Sequence, residues 1–310
     1  MPAIISHHLF GTTVLSKRGA GSFMTRAERD AFLLGCQGPD PFFFATRTPR
    51  IISLKQFGTC LHSENVDSSI DHMLKTVAES KEHDRLVLEA YMCGYLCHYA
   101  LDSYAHPFVV SWVQALCSAG VNRLDERDSQ FVHIQIEADL DAFLLWHLLG
   151  KTVADIRITR YTLQGNKKVL SVIDSLFAPL GQVLYGFDMS SEPYSRSIHD
   201  MRMTYDFIQS TSGRKRALIG WVERRVPKRR HSLMQALSHR TDVYDQCAFA
   251  NLGHDPWIDS ENEEERNESF LDIFDAASDA AVSFVNAVLS GGVEAHTLTN
   301  GVDFDGIKRS

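Results

Sequence analysis

Apolar residues recur at three- and four-residue steps over 26–35, 66–80, 84–106, 125–149, 168–185, 196–212, 214–225 and 268–290, the period of an amphipathic helix. Period-two alternation is scarce, and ADIRITRYTL (154–163) is the one stretch that reads as a strand. The first sixty residues mix short helices with loops built on GPDP (38–41) and TRTPR (46–50), where proline and glycine interrupt regular structure. Pro107 predicts the end of the helix over 84–106, because the residue before a proline disfavours helical backbone. No internal repeat or low-complexity linker divides the chain. The pattern predicts an all-α, multi-helix bundle over residues 1–290 as a single domain, with a loosely held tail over 291–310.

Composition narrows the function classes. The chain has 310 residues, 44% of them hydrophobic, enough to bury a substantial core. Its formal charge is −8, which argues against general nucleic-acid binding and predicts no stable nucleic-acid partner. No stretch reads as the run of roughly 18 apolar residues that a membrane span needs. MPAIISHHLFG at the start lacks the charged and apolar regions of a secretory signal. The six cysteines show no close-set ladder, which predicts free thiols in a reducing, cytoplasmic setting. Two charge blocks stand out. Residues 214–230 hold eight Lys/Arg against one Glu, either a solvated face or a patch that draws an anionic lipid surface, with Trp221 suited to an interface. Residues 261–268 (ENEEERNE) predict an acidic solvated loop. Oligomeric state is not legible.

The chemistry sits in GYLCHYALDSYAHPF (94–108). Residues four apart on a helix are separated by only 40° of arc, so His98, Asp102 and His106 share one stripe of an otherwise apolar helix. A buried carboxylate needs a partner, and a dication shared with imidazoles would supply it. His133 and Glu137 (HIQIE) repeat the four-residue step. A histidine four residues before an acid is expected about 1.8 times by chance at this composition, and two occur, so the pairs alone decide nothing. The triple His-x3-acid-x3-His is expected only about 0.08 times and carries more weight. Asp40 lies between two prolines, ahead of Phe42, Phe43 and Phe44, whose rings would suit base stacking if they line a cleft. His62 follows in GTCLHSE, and His7 and His8 stand near the start. His254 in NLGHDPW reads better as structural.

Taken in order, HHLFG (7–11), GPDPF (38–42), His62, GYLCHYALDSYAHP (94–107) and HIQIE (133–137) resemble the bacterial zinc-dependent phospholipase C family, whose fold the single-strand-specific zinc nucleases of fungi and plants share. NLGHDPW (251–257) and ESF (268–270) resemble the later region of bacterial members. The resemblance implies a helical bundle with a cleft for two to three Zn2+ ions. It assigns Asp40, His62, His98 and Asp102 to one ion, and His106, His133 and Glu137 to a second. His7, favoured over His8, and a bridging Asp102 go to a third. Two departures stand out. Secreted members complete the third set with an N-terminal Trp, where this chain starts Met-Pro, leaving a Pro2 amine as the substitute. His106 also follows Asp102 more closely than in those members. The implied activity is phosphodiester hydrolysis by metal-activated water, with Asp40 as metal ligand and as base, on a phospholipid head group or a nucleotide. The alternatives are a nuclease or nucleotidase on the same zinc core, and a non-catalytic metal-binding scaffold.

Overall fold

The structure, a computed structural model, describes residues 3–19, 23, 25–47, 51–223, 225, 230–241 and 246–309, excepting the side chains of residues 51, 52 and 121. In chain order the helices are α1 (Ile4–Arg18), α2 (Arg26–Gly35), a 3-10 turn (Asp40–Phe44), α3 (Ile51–Ser63), α4 (Val66–Glu79), α5 (Glu82–Ser118), α6 (Ser129–Leu149), α7 (Ile158–Thr162), α8 (Lys167–Tyr185), α9 (Pro193–Ile208), α10 (Arg214–Glu223), α11 (Leu233–Leu237), α12 (Phe270–Ser290) and α13 (Ala295–Thr299). The fold is an all-α bundle, as the periodicity predicts.

α5 is its axis. Its side chains are buried almost without interruption from Leu88 to Asp102, so no face is left for solvent and the helix must be wrapped by others. α2 and α12 pack on it most extensively, joined by α6, α1, α8 and α4. α2 crosses α5 at Gly35 and Gly94. A side-chain carbon on Gly94 would lie 2.0 Å from the Phe32 carbonyl oxygen, so the two backbones touch only because both residues lack one. Beside this crossing Phe42, Phe57, Tyr91, Phe177 and Tyr194 pack ring against ring. The buried apolar residues form one cluster running from Ile4 to Phe304.

The structure corrects several expectations. α5 does not stop at Pro107 but runs on to Ser118. Proline costs a helix one hydrogen bond; burial of Pro107, Phe108, Val109 and Val113 against α12 and its neighbours outweighs that loss. Residues 154–163 form turns and α7 rather than a strand. The hydroxyl of Thr159 donates to Asp206 and the Ile158 amide to Gln209, so side chains of α9 and its end take the place of a partner strand. Residues 4–18 form one long helix, longer than the short helices expected there. The acidic block is not all loop: Glu264–Arg266 pairs antiparallel with Trp257–Asp259. By length and composition alone α12 is apolar enough to cross a membrane, but it packs as a helix of the bundle. It lies against α5 and α1 with Phe270, Phe274, Ala277, Ala281 and Val285 buried. Finally, residues 293–309 are not loosely held, since Ala295, Thr299, Asp303 and Phe304 are all buried.

Candidate metal centre

The first turn of α1 is tied down from outside. Asp141 on α6, fully buried, accepts hydrogen bonds from the Ile5 amide (3.1 Å), the Ser6 amide (2.7 Å) and the Ser6 hydroxyl (2.6 Å). A carboxylate here satisfies amides that lack helical partners and offsets the positive end of the helix dipole. His239, just past α11, lies 2.7 Å from the same carboxylate. The anchor fixes His7 one residue further on.

His7 packs against His98 of α5, with ring centroids 4.0 Å apart and the planes tilted by 30°. Their Nε2 atoms divide the Asp102 carboxylate: His7 lies 3.2 Å from Oδ1 and His98 3.3 Å from Oδ2. Asp40, at the start of the 3-10 turn, sits opposite, 3.2 Å from His62 Nε2 and 4.0 Å from His98 Nε2. All five side chains are buried. The turn approaches this closely because Gly38 has φ +50° and no side chain. A Cβ there would stand 2.2 Å from the His98 ring.

Two rings carry a tautomeric signature. His62 Nδ1 lies 2.7 Å from the Gly58 carbonyl oxygen and His98 Nδ1 lies 3.2 Å from that of Cys36. A carbonyl only accepts, so both Nδ1 atoms carry the proton and both Nε2 atoms turn to the carboxylates. Neither Nε2 makes a hydrogen bond, nor does His7 Nδ1. Burial, and then the neighbouring charge of His7, lower the pKa of His98, so at neutral pH its Nε2 presents a lone pair. Burial also pulls His7 down, but the charge and hydrogen bond of Asp102 more than offset it and the net shift is upward. Burial pushes Asp102 up, yet electrostatic attraction to the His98 and His7 rings holds it well below the usual carboxylate range.

A lone pair aimed at a carboxylate in a dry interior is unfavourable unless a cation lies between them. The spacings fit one. Donors 2.0–2.2 Å from a tetrahedral ion lie about 3.3–3.6 Å from one another. Among the described residues two triplets have all ligand atoms within 4.8 Å: His7, Asp40 and His98, and His62, His98 and Asp102. Imidazole and carboxylate donors at this spacing suit Zn2+.

His106, His133 and Glu137 are neighbours of this cluster but do not form so tight a triplet. The His106 and His133 rings face each other across α5 and α6 at 5.2 Å, and His133 Nε2 is 3.1 Å from Glu137 Oε1. Glu137 Oε2 is buried with no hydrogen bond. A cavity of about 20 Å3, bordered by His7, Asp102, His106 and Glu137, connects the two sets and has room for one water or ion.

His8 is buried against Tyr161 instead, with its pKa depressed to about 4 by burial. Exposed His254 lies 3.6 Å from Asp272, away from the cluster. Phe42 packs into the core and is no stacking platform; Phe43, half-buried, keeps its ring 5.2 Å from that of His62. The Pro2 amine lies outside the described residues, as do residues 224 and 226–229 of the basic block. In its described part Leu218, Trp221 and Val222 are exposed, and the Arg225 guanidinium lies 3.3 Å from the Trp221 ring centre. The Asp141–His239 anchor was missed from sequence, although an aspartate inside the apolar run ADLDAFLL was a signal that a buried charge had a partner to find.

A family model described as zinc dependent phospholipase C matches residues 1–180, a span that holds all eight candidate ligands. No curated protein and no solved structure matches the chain.

Proposed function

Because the chain belongs to the zinc-dependent phospholipase C family, we propose that it is a zinc-dependent phosphoric-diester hydrolase whose metal is held by Asp40, His62, His98 and Asp102, by His7 with Asp102, and by His106, His133 and Glu137. One observation carries the assignment of ligands. His62 and His98, oriented by backbone carbonyls, turn buried Nε2 atoms without hydrogen bonds toward Asp40 and Asp102. Zinc, when bound, supplies Lewis acidity toward a phosphoryl oxygen and lowers the pKa of water.

The chain's own groups do the rest. Asp102 offers one carboxylate oxygen to each of two imidazoles and so keeps His7 and His98 in register. The Gly58 and Cys36 carbonyls lock both rings in the tautomer that leaves Nε2 available. Asp40, facing His62, is the carboxylate we assign to take a proton from the attacking water. Phe304 and Phe43 border His62 and restrict bulk water at that edge. We assign the exposed Trp221 and the Lys/Arg around it to peripheral contact with an anionic lipid surface.

The substrate reading we favour is a phospholipid head group, in keeping with the family. A nucleotide is the second reading, favoured by the half-buried ring of Phe43 beside His62, to which a base would stack. The test is hydrolysis of a bis-aryl phosphodiester by wild-type, His98→Ala and Asp102→Ala proteins. Removing even an outer partner of a zinc ligand costs about 10–100-fold, so loss of either residue is expected to exceed that range. Zinc-loaded wild-type protein that leaves every phosphodiester intact would instead establish the non-catalytic scaffold. Phospholipid against oligonucleotide substrates separates the two substrate readings.

A further inference from the structure

The segment after α13 carries a carboxylate to the metal centre. The Asp303 side chain accepts from the Asp305 amide (3.0 Å), the Ile307 amide (2.9 Å) and Arg309 Nε (2.7 Å), and Val302 bridges to Lys308, so residues 302–309 close into a tight turn. The turn docks on α5. Gly306 has φ +78°, and a Cβ on it would lie 2.7 Å from Pro107 Cγ and 2.8 Å from the Ser103 carbonyl oxygen. That oxygen lost its helical donor to Pro107, and the space beside it is where the turn fits. Phe304 is buried. Its amide donates to the His62 carbonyl (3.1 Å), and its ring centroid lies 5.2 Å from that of His62 and 5.7 Å from that of His98. The next residue, Asp305, places Oδ1 3.4 Å from His106 Nε2.

We propose that Asp305 is a zinc ligand, the fourth protein donor beside His106, His133 and Glu137. The proposal rests on the reading that this set holds an ion. Three observations carry it. The His106–Asp305 spacing is too long for a good N–H···O hydrogen bond and falls within the edge length of a zinc tetrahedron, about 3.3–3.6 Å. Glu137 Oε2 is buried without a hydrogen bond beside a cavity that His106 also borders. The carboxylates of Glu137 and Asp305 together match the charge of a dication in a partly buried place. Residue 305 lies beyond the region that matches the family, so this ligand is a property of the chain's own later part. Four protein donors make a closed coordination sphere, the kind that holds an ion firmly.

The experiment strips the protein of metal and reloads it with Zn2+ against a chromophoric chelator, and in parallel with Co2+, whose visible spectrum reports the donors. Wild type, Asp305→Asn, Asp305→Ser, Asp305→Glu, His133→Ala and the double variant His133→Ala/Asp305→Asn are compared. The expected result is that Asp305→Asn and Asp305→Ser each weaken one metal equivalent about 10–100-fold and alter one component of the Co2+ spectrum. Asp305→Glu restores both. In the double variant no loss is added beyond that of His133→Ala, since both act on one ion. The proposal is overturned if Asp305→Asn and Asp305→Ser keep wild-type affinities and spectrum. It is also overturned if they lower the melting temperature of metal-free and zinc-loaded protein equally. Wild-type protein with no metal equivalent at the His106, His133 and Glu137 set would overturn the reading beneath it instead.

Discussion

His62 and His98 commit Nδ1 to a backbone carbonyl and turn Nε2 toward a carboxylate. His7 and His8 show how much such an environment matters, since adjacent residues face different worlds. His7 meets Asp102, whereas His8 packs on Tyr161 in a site that only desolvates it. His7→Ala is therefore expected to lower zinc affinity by 10-fold or more. His8→Ala is expected to keep wild-type zinc content and lose about 2–4 kcal/mol of stability as a cavity opens. Equilibrium dialysis and denaturant unfolding on the pair check both. Gly38→Ala would push a methyl group to 2.2 Å from the His98 ring at φ +50°. It is expected to destabilise by about 1–3 kcal/mol and to lower zinc affinity with it, read in the same two assays. Asp40, His62, His98 and Asp102 were legible as candidates because spacing and motif order are local. The partners that orient them were not, because Gly58 and Cys36 act through backbone oxygens that any residue would carry.

At the scale of elements, periodicity found the long amphipathic helices and failed where tertiary packing overrides local preference. Pro107 reads as a helix end, yet α5 passes through it because its far side is buried against α12. Alternation at 154–163 reads as a strand, but side chains of α9 capture that segment. α1 was legible only in part, since its buried face includes Ser6, His7, His8 and Gly11 and so interrupts the apolar period. Its first turn depends on Asp141. Asp141→Asn keeps the shape but removes the charge, and its amide group would present a donor to donors. Hydrogen bonds to charged groups are worth about 1.5–3 kcal/mol each. The variant is expected to lose about that much stability or more and to weaken zinc binding by displacing His7. Asp141→Asn with unchanged melting temperature and zinc affinity would show that the anchor does not place α1.

Over the whole molecule, α5 gathers one side chain or more from α1, the 3-10 turn, α3, α6 and the turn after α13 around a single stripe. Contacts so distant in sequence have no local signature, which is why Asp305 was legible only in three dimensions. The exposed Leu218, Trp221 and Val222 beside a Lys/Arg-rich segment set a prediction at this scale too. Trp221→Ala is expected to reduce co-sedimentation with phosphatidylserine vesicles several-fold while leaving hydrolysis of a soluble diester unchanged. Equal sedimentation would remove the lipid-contact assignment. The central claim is that the buried imidazoles and carboxylates around Asp102 exist to hold zinc. Elemental analysis of wild-type protein purified without chelator tests it most directly. The account predicts two to three zinc ions per chain, falling in Asp102→Ala; wild-type protein that carries none and takes up none on addition of Zn2+ would contradict it.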